Sequence, residues 1–484
     1  MEEDPTPVPS VGQRKSLLLG PDGSLMGEEP LIGEGRRDVG LKLETVMLCQ
    51  VPNLALRMPT AGVANHEIVK NSSGGSTFYN KLLGDEDCII YEHVRDKTKA
   101  PVARAFLRAG PRAKLHFDPT TVNACIVTCG LLCPGLNSVI HHLVDTLKNN
   151  YNAGKIYGIR GGWGGFWDPE KPPIQLCQSK DLEFLQSRAG SILGCSVGGF
   201  DVKKIMQFLM DKQISHMYVI GGDGTHRGAH RIAVECIAMG LNIAVAGIPK
   251  SVDNDIDLVD RSFGFMTAVE EAQNAIRSAT IEAKCNLPNG IGIVKLMGRS
   301  TGYLAAYATM ASGDVDLCLV PEVEIRLDGP DGCLPHLERV VQRKGYAVVV
   351  ISEGAGQAQL SEVAAEARSK GAPLPSVGQY MKSQIEKHFA SKGKTATCKY
   401  IDPSVSVRSV AANAFDQILC MQLAQNAVHG AMAGYTAFAA GVVNNRTVLI
   451  PITEIVDTSP KGLNPRGRTW ERVLCITRQP NTLS

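Results

Sequence analysis

The sequence predicts an α/β protein built of two doubly wound parallel-sheet lobes behind an N-terminal extension. Three observations predict it. From about residue 113 onward, short apolar runs alternate with helical patterns. Glycine and acidic clusters recur at the ends of those runs. A late apolar run, YAVVVISEG (346–354), then opens another strand pattern and is followed by helical segments at 374–389 and 410–427. Strand, loop and helix in that order argue for a parallel sheet with helices on both faces.

The elements follow in order. NACIVTC precedes the helical LNSVIHHLVDTLKNN, and KIYGIRGG follows it. DVKKIMQFLMDKQ leads into HMYVIGG, and AHRIAVECIAMG leads into NIAVAGIP. TAVEEAQNAIRSATIEAK precedes GIGIVKL, and STGYLAAYATMASG precedes VDLCLVPE. The expected divisions are an extension over 1–112, a first lobe over 113–290, a second over 291–450 and a C-terminal segment over 451–484. The first 40 residues, rich in Gly and Pro, are expected to be mostly disordered.

At 484 residues, with 44% apolar and 20% charged residues, the chain can bury at least two cores. A net charge of +2 offers no bulk attraction to nucleic acid or to a membrane surface. No apolar run approaches the roughly 18 residues of a membrane-spanning helix. The start, MEEDPTPVPS, is acidic and Pro-rich, unlike a secretory or transit peptide, so the cytoplasm is the expected compartment. Of 14 Cys, three recur every four residues at Cys125, Cys129 and Cys133. The first two lie on a strand pattern, which favours buried free thiols over metal ligands.

Four loops carry chemistry. In TCGLLCPGLN (128–137) a strand ends, glycines turn the chain and a helix starts, offering its N-terminus to a phosphate. In GGDGT (221–225) glycines admit a phosphate closely, and Asp223 is a hard oxygen ligand suited to Mg²⁺. The plain alternative is a tight turn with a capping Asp. In IPKSVDNDID (248–257) Asp253 and Asp255 lie two apart, with Lys250 before them. Two such carboxylates repel when both are ionised, so one binds metal or holds a raised pKa and its partner can then serve as a base toward a hydroxyl; an acidic surface turn is the alternative. In KLMGRSTGY (295–303) Arg299 can grip a phosphate with its planar fork, or simply solvate the loop. A phosphate cradle, a metal carboxylate, a base and an Arg are together the parts of phosphoryl transfer.

At these loops the chain resembles the 6-phosphofructokinases, most of all the plant and kinetoplastid branch, from about Arg108 to Arg446. The likeness rests on GPRAKLHFDP, VTCGLLCPGLN, GIPKSVDND, FGFMTAVEEAQNAI, GIGIVKLMGRSTGY, EGAGQ, KYIDPS and NAVHGAMAGYT. The resemblance implies Mg²⁺-assisted transfer of the ATP γ-phosphoryl group to O1 of fructose 6-phosphate, usually by a homotetramer. It makes 113–290 the nucleotide and Mg²⁺ lobe and 291–450 the sugar-phosphate lobe. It implies that Gly130, Val197, Gly198, Gly222, Asp223, Gly224 and Thr225 line the donor site. Asp223 and Asp255 would hold the metal, and Asp253 would accept the proton of the sugar hydroxyl beside Arg299. Ser251, Val252, Met297, Gly298, Glu353, Val405 and Arg408 would meet the sugar phosphate, with Lys399 and Tyr400 near its 6-phosphate. Gly224 together with Lys250 is the pairing of ATP-using members; pyrophosphate-using members carry a second Asp at the Gly224 position.

The chain also departs from the family pattern. Leu131 replaces a glycine, which is costly if that turn needs a left-handed residue. Val197 stands where the family places an Arg toward the nucleotide phosphates, and Val405 stands where it places an aromatic. Trp163 and Gly164 replace a Tyr-Arg pair. A catalytically weak subunit that modulates active paralogues, and a pyrophosphate-dependent enzyme, are the alternative readings. An NAD or diacylglycerol kinase shares GGDGT but lacks PKSVDND with MGRSTGY.

Overall fold

The computed structural model describes residues 45–58, 82–84, 86–91, 102–176, 182–357, 359–361 and 376–482. The expectation for the first 40 residues lies outside them. The described residues form two sheets. The larger holds β1 (Thr45–Cys49), β2 (Cys88–Ile90), β3 (Val102–Arg108), β4 (Ala124–Thr128), β5 (Ile156–Ile159), β6 (Ile174–Gln175), β7 (His216–Gly221), β8 (Ala244–Pro249), β13 (Phe438–Val443) and β14 (Arg446–Pro451). The smaller holds β9 (Gly290–Leu296), β10 (Leu317–Leu319), β11 (Tyr346–Ser352) and β12 (Thr397–Ile401).

The order of the larger sheet is β1-β3-β14-β13-β8-β7-β4-β5-β6, with β2 also on β3. Its centre, from β13 through β8, β7 and β4 to β5, is parallel. Antiparallel pairs join β13 to β14, β14 to β3 and β5 to β6. The smaller sheet, ordered β10-β11-β9-β12, is parallel throughout. Strands β4, β7 and β8 are buried at every position. That explains why their sequences read as unbroken apolar runs rather than alternating ones.

The lobes are not continuous in sequence. Residues 438–450 fall in the span expected for the second lobe, yet they pair beside β8 in the larger sheet. Strands β1, β2 and β3 of the expected extension join the same sheet. The reason is pairing: β14 is apolar and satisfies its backbone between β13 and β3.

Helix Phe265–Cys285 lies against the smaller sheet, and helix Ala414–Met432 carries the chain back to the larger one. One core runs between the sheets, joining Ile126 and Ile248 to Val294 and Val350. A second covers the other face of the larger sheet through Val127, Val219 and Ile232, and a third covers the outer face of the smaller sheet. Among the described residues no helix is long and apolar enough to cross a membrane.

Candidate active site

Parallel pairing fixes the place of the four loops. Because β8, β7 and β4 are neighbours and run in one direction, the segments after Pro249, Gly221 and Thr128 leave the same edge of the larger sheet. In the smaller sheet β11, β9 and β12 likewise bring 353, 297–299 and 402–408 to one edge. The carboxyl ends of parallel strands are where such sheets take ligands.

A cleft of about 1120 Å³ opens over the larger sheet. It is lined by Gly130, Val197 and Gly198, by Gly222, Asp223, Gly224 and Thr225, and by Lys250, Ser251, Val252, Asp253 and Asp255, with Met297 from the other lobe. A side compartment of about 650 Å³ shares Gly130 and Val197 and adds Val405 and Arg408. Arg299 and Glu353 stand at the ends of neighbouring strands and pair with each other, Nε to Oε1 at 3.2 Å. Both influence the charge of Asp253. Gly298, at φ 124, has its carbonyl held by Ser352 Oγ at 2.7 Å. Lys399 and Tyr400, on the edge strand β12, line neither compartment; Tyr400 faces Asp402, which pairs with Lys295 at 2.7 Å.

Helix Asp223–Ala238 starts at the GGDGT loop, with Gly222 as an N-cap that has no side-chain cap bond. The first N–H groups of a helix lack the usual partner four residues back; here the Thr225 N–H closes on the Gly222 carbonyl at 3.1 Å, and those ahead of it remain for a ligand. Asp223 sits in the first turn and is held by Arg227 at 3.2 Å. His226 braces the loop from beneath: it is fully buried, and its Nδ1–H donates to the Gly222 carbonyl at 2.8 Å. Burial lowers its pKa, which keeps the ring neutral. No sequence motif marks His226; its spacing of four from Gly222 is the one available signal. A Cβ on Gly224 meets nothing within 4 Å, so the space beside Asp223 is open.

The loop after β8 separates its two carboxylates by a left-handed Asn254, at φ 57. Asn tolerates that conformation, and its Oδ1 accepts from the Ser262 N–H at 2.9 Å. Ser251 Oγ donates to Asp255 Oδ1 at 2.5 Å. Asp253 Oδ1 is buried and has no hydrogen-bond partner among the described residues. Burial, then Asp255 and Glu353, push the Asp253 carboxyl up to about 7, against the pull of Arg299 and Lys250. A carboxylate so placed is poised to accept a proton near neutrality.

Three departures have a structural outcome. Leu131 is not strained, because the left-handed residue of its turn is Gly130, at φ 87. The Leu131 carbonyl accepts from Lys250 Nζ at 2.8 Å, and its side chain is half exposed. Val197 is 74% exposed in the cleft, so it offers apolar surface where the family pattern has a cation. Trp163 is buried and lines the cleft edge-on to Phe200, which no sequence motif marks, at 5.2 Å between centroids. Cys125, Cys129 and Cys133 are free and buried, and burial pushes the Cys129 thiol up to about 12.

A family profile described as phosphofructokinase matches residues 123–431, more than half of the chain. The ATP-dependent 6-phosphofructokinase 7 of Arabidopsis thaliana is 46% identical over 78% of this chain and 78% of its own. The chain belongs to the phosphofructokinase family. An ATP-dependent 6-phosphofructokinase of Amycolatopsis methanolica is 42% identical over 82% of this chain and 87% of its own. Among solved structures, a pyrophosphate-dependent phosphofructokinase of Marinobacter aquaeolei superposes with a TM-score of 0.62 at 20% identity. It covers 73% of this chain and 91% of its own. At that identity the likeness shows the phosphofructokinase fold alone.

Proposed function

We propose that the chain is an ATP-dependent 6-phosphofructokinase, moving the γ-phosphoryl group of ATP to O1 of fructose 6-phosphate to give fructose 1,6-bisphosphate. The observation that carries the reading is Asp253, a carboxyl raised to about 7 with one buried, unpartnered oxygen, in the cleft that also holds the GGDGT helix start. The names of the relatives, ATP-dependent 6-phosphofructokinases at 42–46% identity, point to the same reaction.

In this mechanism the donor phosphates lie over Gly130 and the helix start at Gly222–Thr225, where the N–H groups ahead of Thr225 and the positive end of a dipole meet them. Fructose 6-phosphate presents its 1-hydroxyl to Asp253, which takes the proton as the oxygen attacks; positioned base catalysis is worth roughly 10²–10⁴-fold. Arg299, tethered to Glu353, faces the transferring group and draws off its charge. Asp223 and Asp255 open onto one cleft without forming a closed cage. That suits Mg²⁺, which takes one or two carboxylates and completes its shell with water and substrate phosphates. When bound there, Mg²⁺ neutralises charge developing on the phosphates. The open space at Gly224 accommodates the α-phosphate of ATP. The family resemblance extends the proposal to a homotetramer working in the cytoplasm.

A second reading, a catalytically weak subunit, is favoured by one observation. Val197 brings no charge to the donor cleft, while Arg227 and Lys250 are already engaged with Asp223 and with the Leu131 carbonyl. One assay separates the readings: purified chain, Mg²⁺ and fructose 6-phosphate, with ATP or pyrophosphate as donor. Turnover with ATP is expected, and Asp253→Asn should lower it by roughly 10²–10⁴-fold while fructose 6-phosphate still binds in calorimetry. Turnover only with pyrophosphate overturns the donor assignment, and none with either donor makes the weak subunit the better reading.

A further inference from the structure

The segment Ser459–Leu463 belongs to neither sheet, yet it bonds to the loops on both sides of the candidate site. Toward the larger sheet, the Lys461 N–H donates to the Asp255 carbonyl at 2.7 Å, and Lys461 Nζ donates to the Val259 carbonyl at 2.9 Å. Ser459 Oγ accepts from the Asp257 N–H at 2.9 Å. Toward the smaller sheet, the Glu322 carboxylate accepts from the Leu463 N–H at 2.6 Å and from the Gly302 N–H at 3.0 Å. The Tyr303 hydroxyl donates to the Gly462 carbonyl at 3.3 Å. Gly302 lies three residues beyond Arg299, and Asp257 lies four beyond Asp253. The segment is therefore a strap from the loop of the base to the loop of the Arg.

The first of those loops needs holding. Leu258, between the strapped Asp257 and Val259, is left-handed at φ 67 and buried. A bulky side chain is a true outlier in that region. Such a residue costs about 1–3 kcal/mol and persists only where its surroundings over-determine it. Two of the three strap bonds to this loop fall immediately on either side of Leu258, one from the N–H before it and one to the carbonyl after it. Without them the loop has reason to relax, and Asp253 would move with it.

We propose that Lys461 is a positioning residue: through the Val259 carbonyl it holds the strained loop that presents Asp253, and the strap sets that loop against Arg299 across the two lobes. The inference rests on the kinase reading for its catalytic consequence but not for the restraint itself. The test is Lys461→Met, which keeps the length and removes the donors, beside Lys461→Arg, which keeps a donor. For the Met variant kcat should fall about 10–100-fold with KM for fructose 6-phosphate within about threefold, since small misplacements of a reacting group carry that cost. Hydrogen exchange of the unliganded full chain should quicken over 253–262 in the Met variant, and the Arg variant should recover both properties. Wild-type kcat with unchanged exchange in the Met variant overturns the proposal. So does a loss of kcat that matches the loss of folded protein, and so does an Arg variant as impaired as Met. If the wild-type chain transfers no phosphoryl group from ATP, the kinase reading fails, and the exchange measurement alone decides the restraint.

Discussion

At the scale of single residues, Gly224 and Val197 decide how the donor is met, and they act in opposite directions. Nothing lies within 4 Å of a Cβ at Gly224, and its backbone is not left-handed, so a side chain there disturbs the ligand rather than the fold. Gly224→Asp is expected to raise KM for ATP by about tenfold or more, about 1.4 kcal/mol, by placing a carboxylate against a phosphate. Thermal melting should move little; a large loss of stability would show that the position is structural after all. Val197 is the converse case, an exposed side chain with room for charge. Val197→Arg adds a charge-assisted hydrogen bond worth about 1.5–3 kcal/mol, so KM for ATP should fall by about 10- to 150-fold in steady-state kinetics. An unchanged KM would place the donor phosphates elsewhere in the cleft. These positions were legible in the sequence because motif spacing fixes them. The harmlessness of Leu131 was not, since only the backbone shows that Gly130 carries the left-handed turn.

At the scale of elements, the smaller sheet depends on a charge cluster beneath its outer helices. Glu338, on helix Cys333–Lys344, bonds to Lys392, to Lys394 Nζ at 2.9 Å and to His388 Nε2 at 3.3 Å. Lys392 first, then Lys394, hold its carboxyl at about 2, below the usual 4.5. A depressed carboxyl contributes stability that is fully present above its unfolded pKa and is lost as pH falls toward the folded value. The melting temperature should therefore drop between pH 5 and pH 2–3, and Glu338→Gln should melt lower at pH 7 with a flatter acid limb. Equal slopes in the two proteins would remove Glu338 from the acid response. The helix that carries His388 was readable from apolar periodicity over 374–389, but helix Cys333–Lys344 was not, and neither was the cluster, because its members are 50–56 residues apart and meet only through folding.

At the scale of the whole molecule, the chain closes on itself. The family match ends at residue 431, but β13 and β14 lie beyond it and complete the centre of the larger sheet. A chain ended at residue 431 leaves β8 and β3 with unpaired edges, so it should be recovered aggregated rather than as a cooperatively melting protein. A soluble, sharply melting product would show that the sheet tolerates the loss.

What the sequence determined by itself was the fold class, the four loops and the residue types in them. Those are local properties: apolar runs, helical spacing, glycines at turns and carboxylates two apart. What only the tertiary structure decided was proximity. Parallel pairing of β8, β7 and β4 sets three loops on one edge, and burial lifts Asp253 to about 7. A C-terminal strap reaches back some 200 residues to the loop that bears it. Burial and long-range pairing depend on the packed whole, so no stretch of the chain carries them alone.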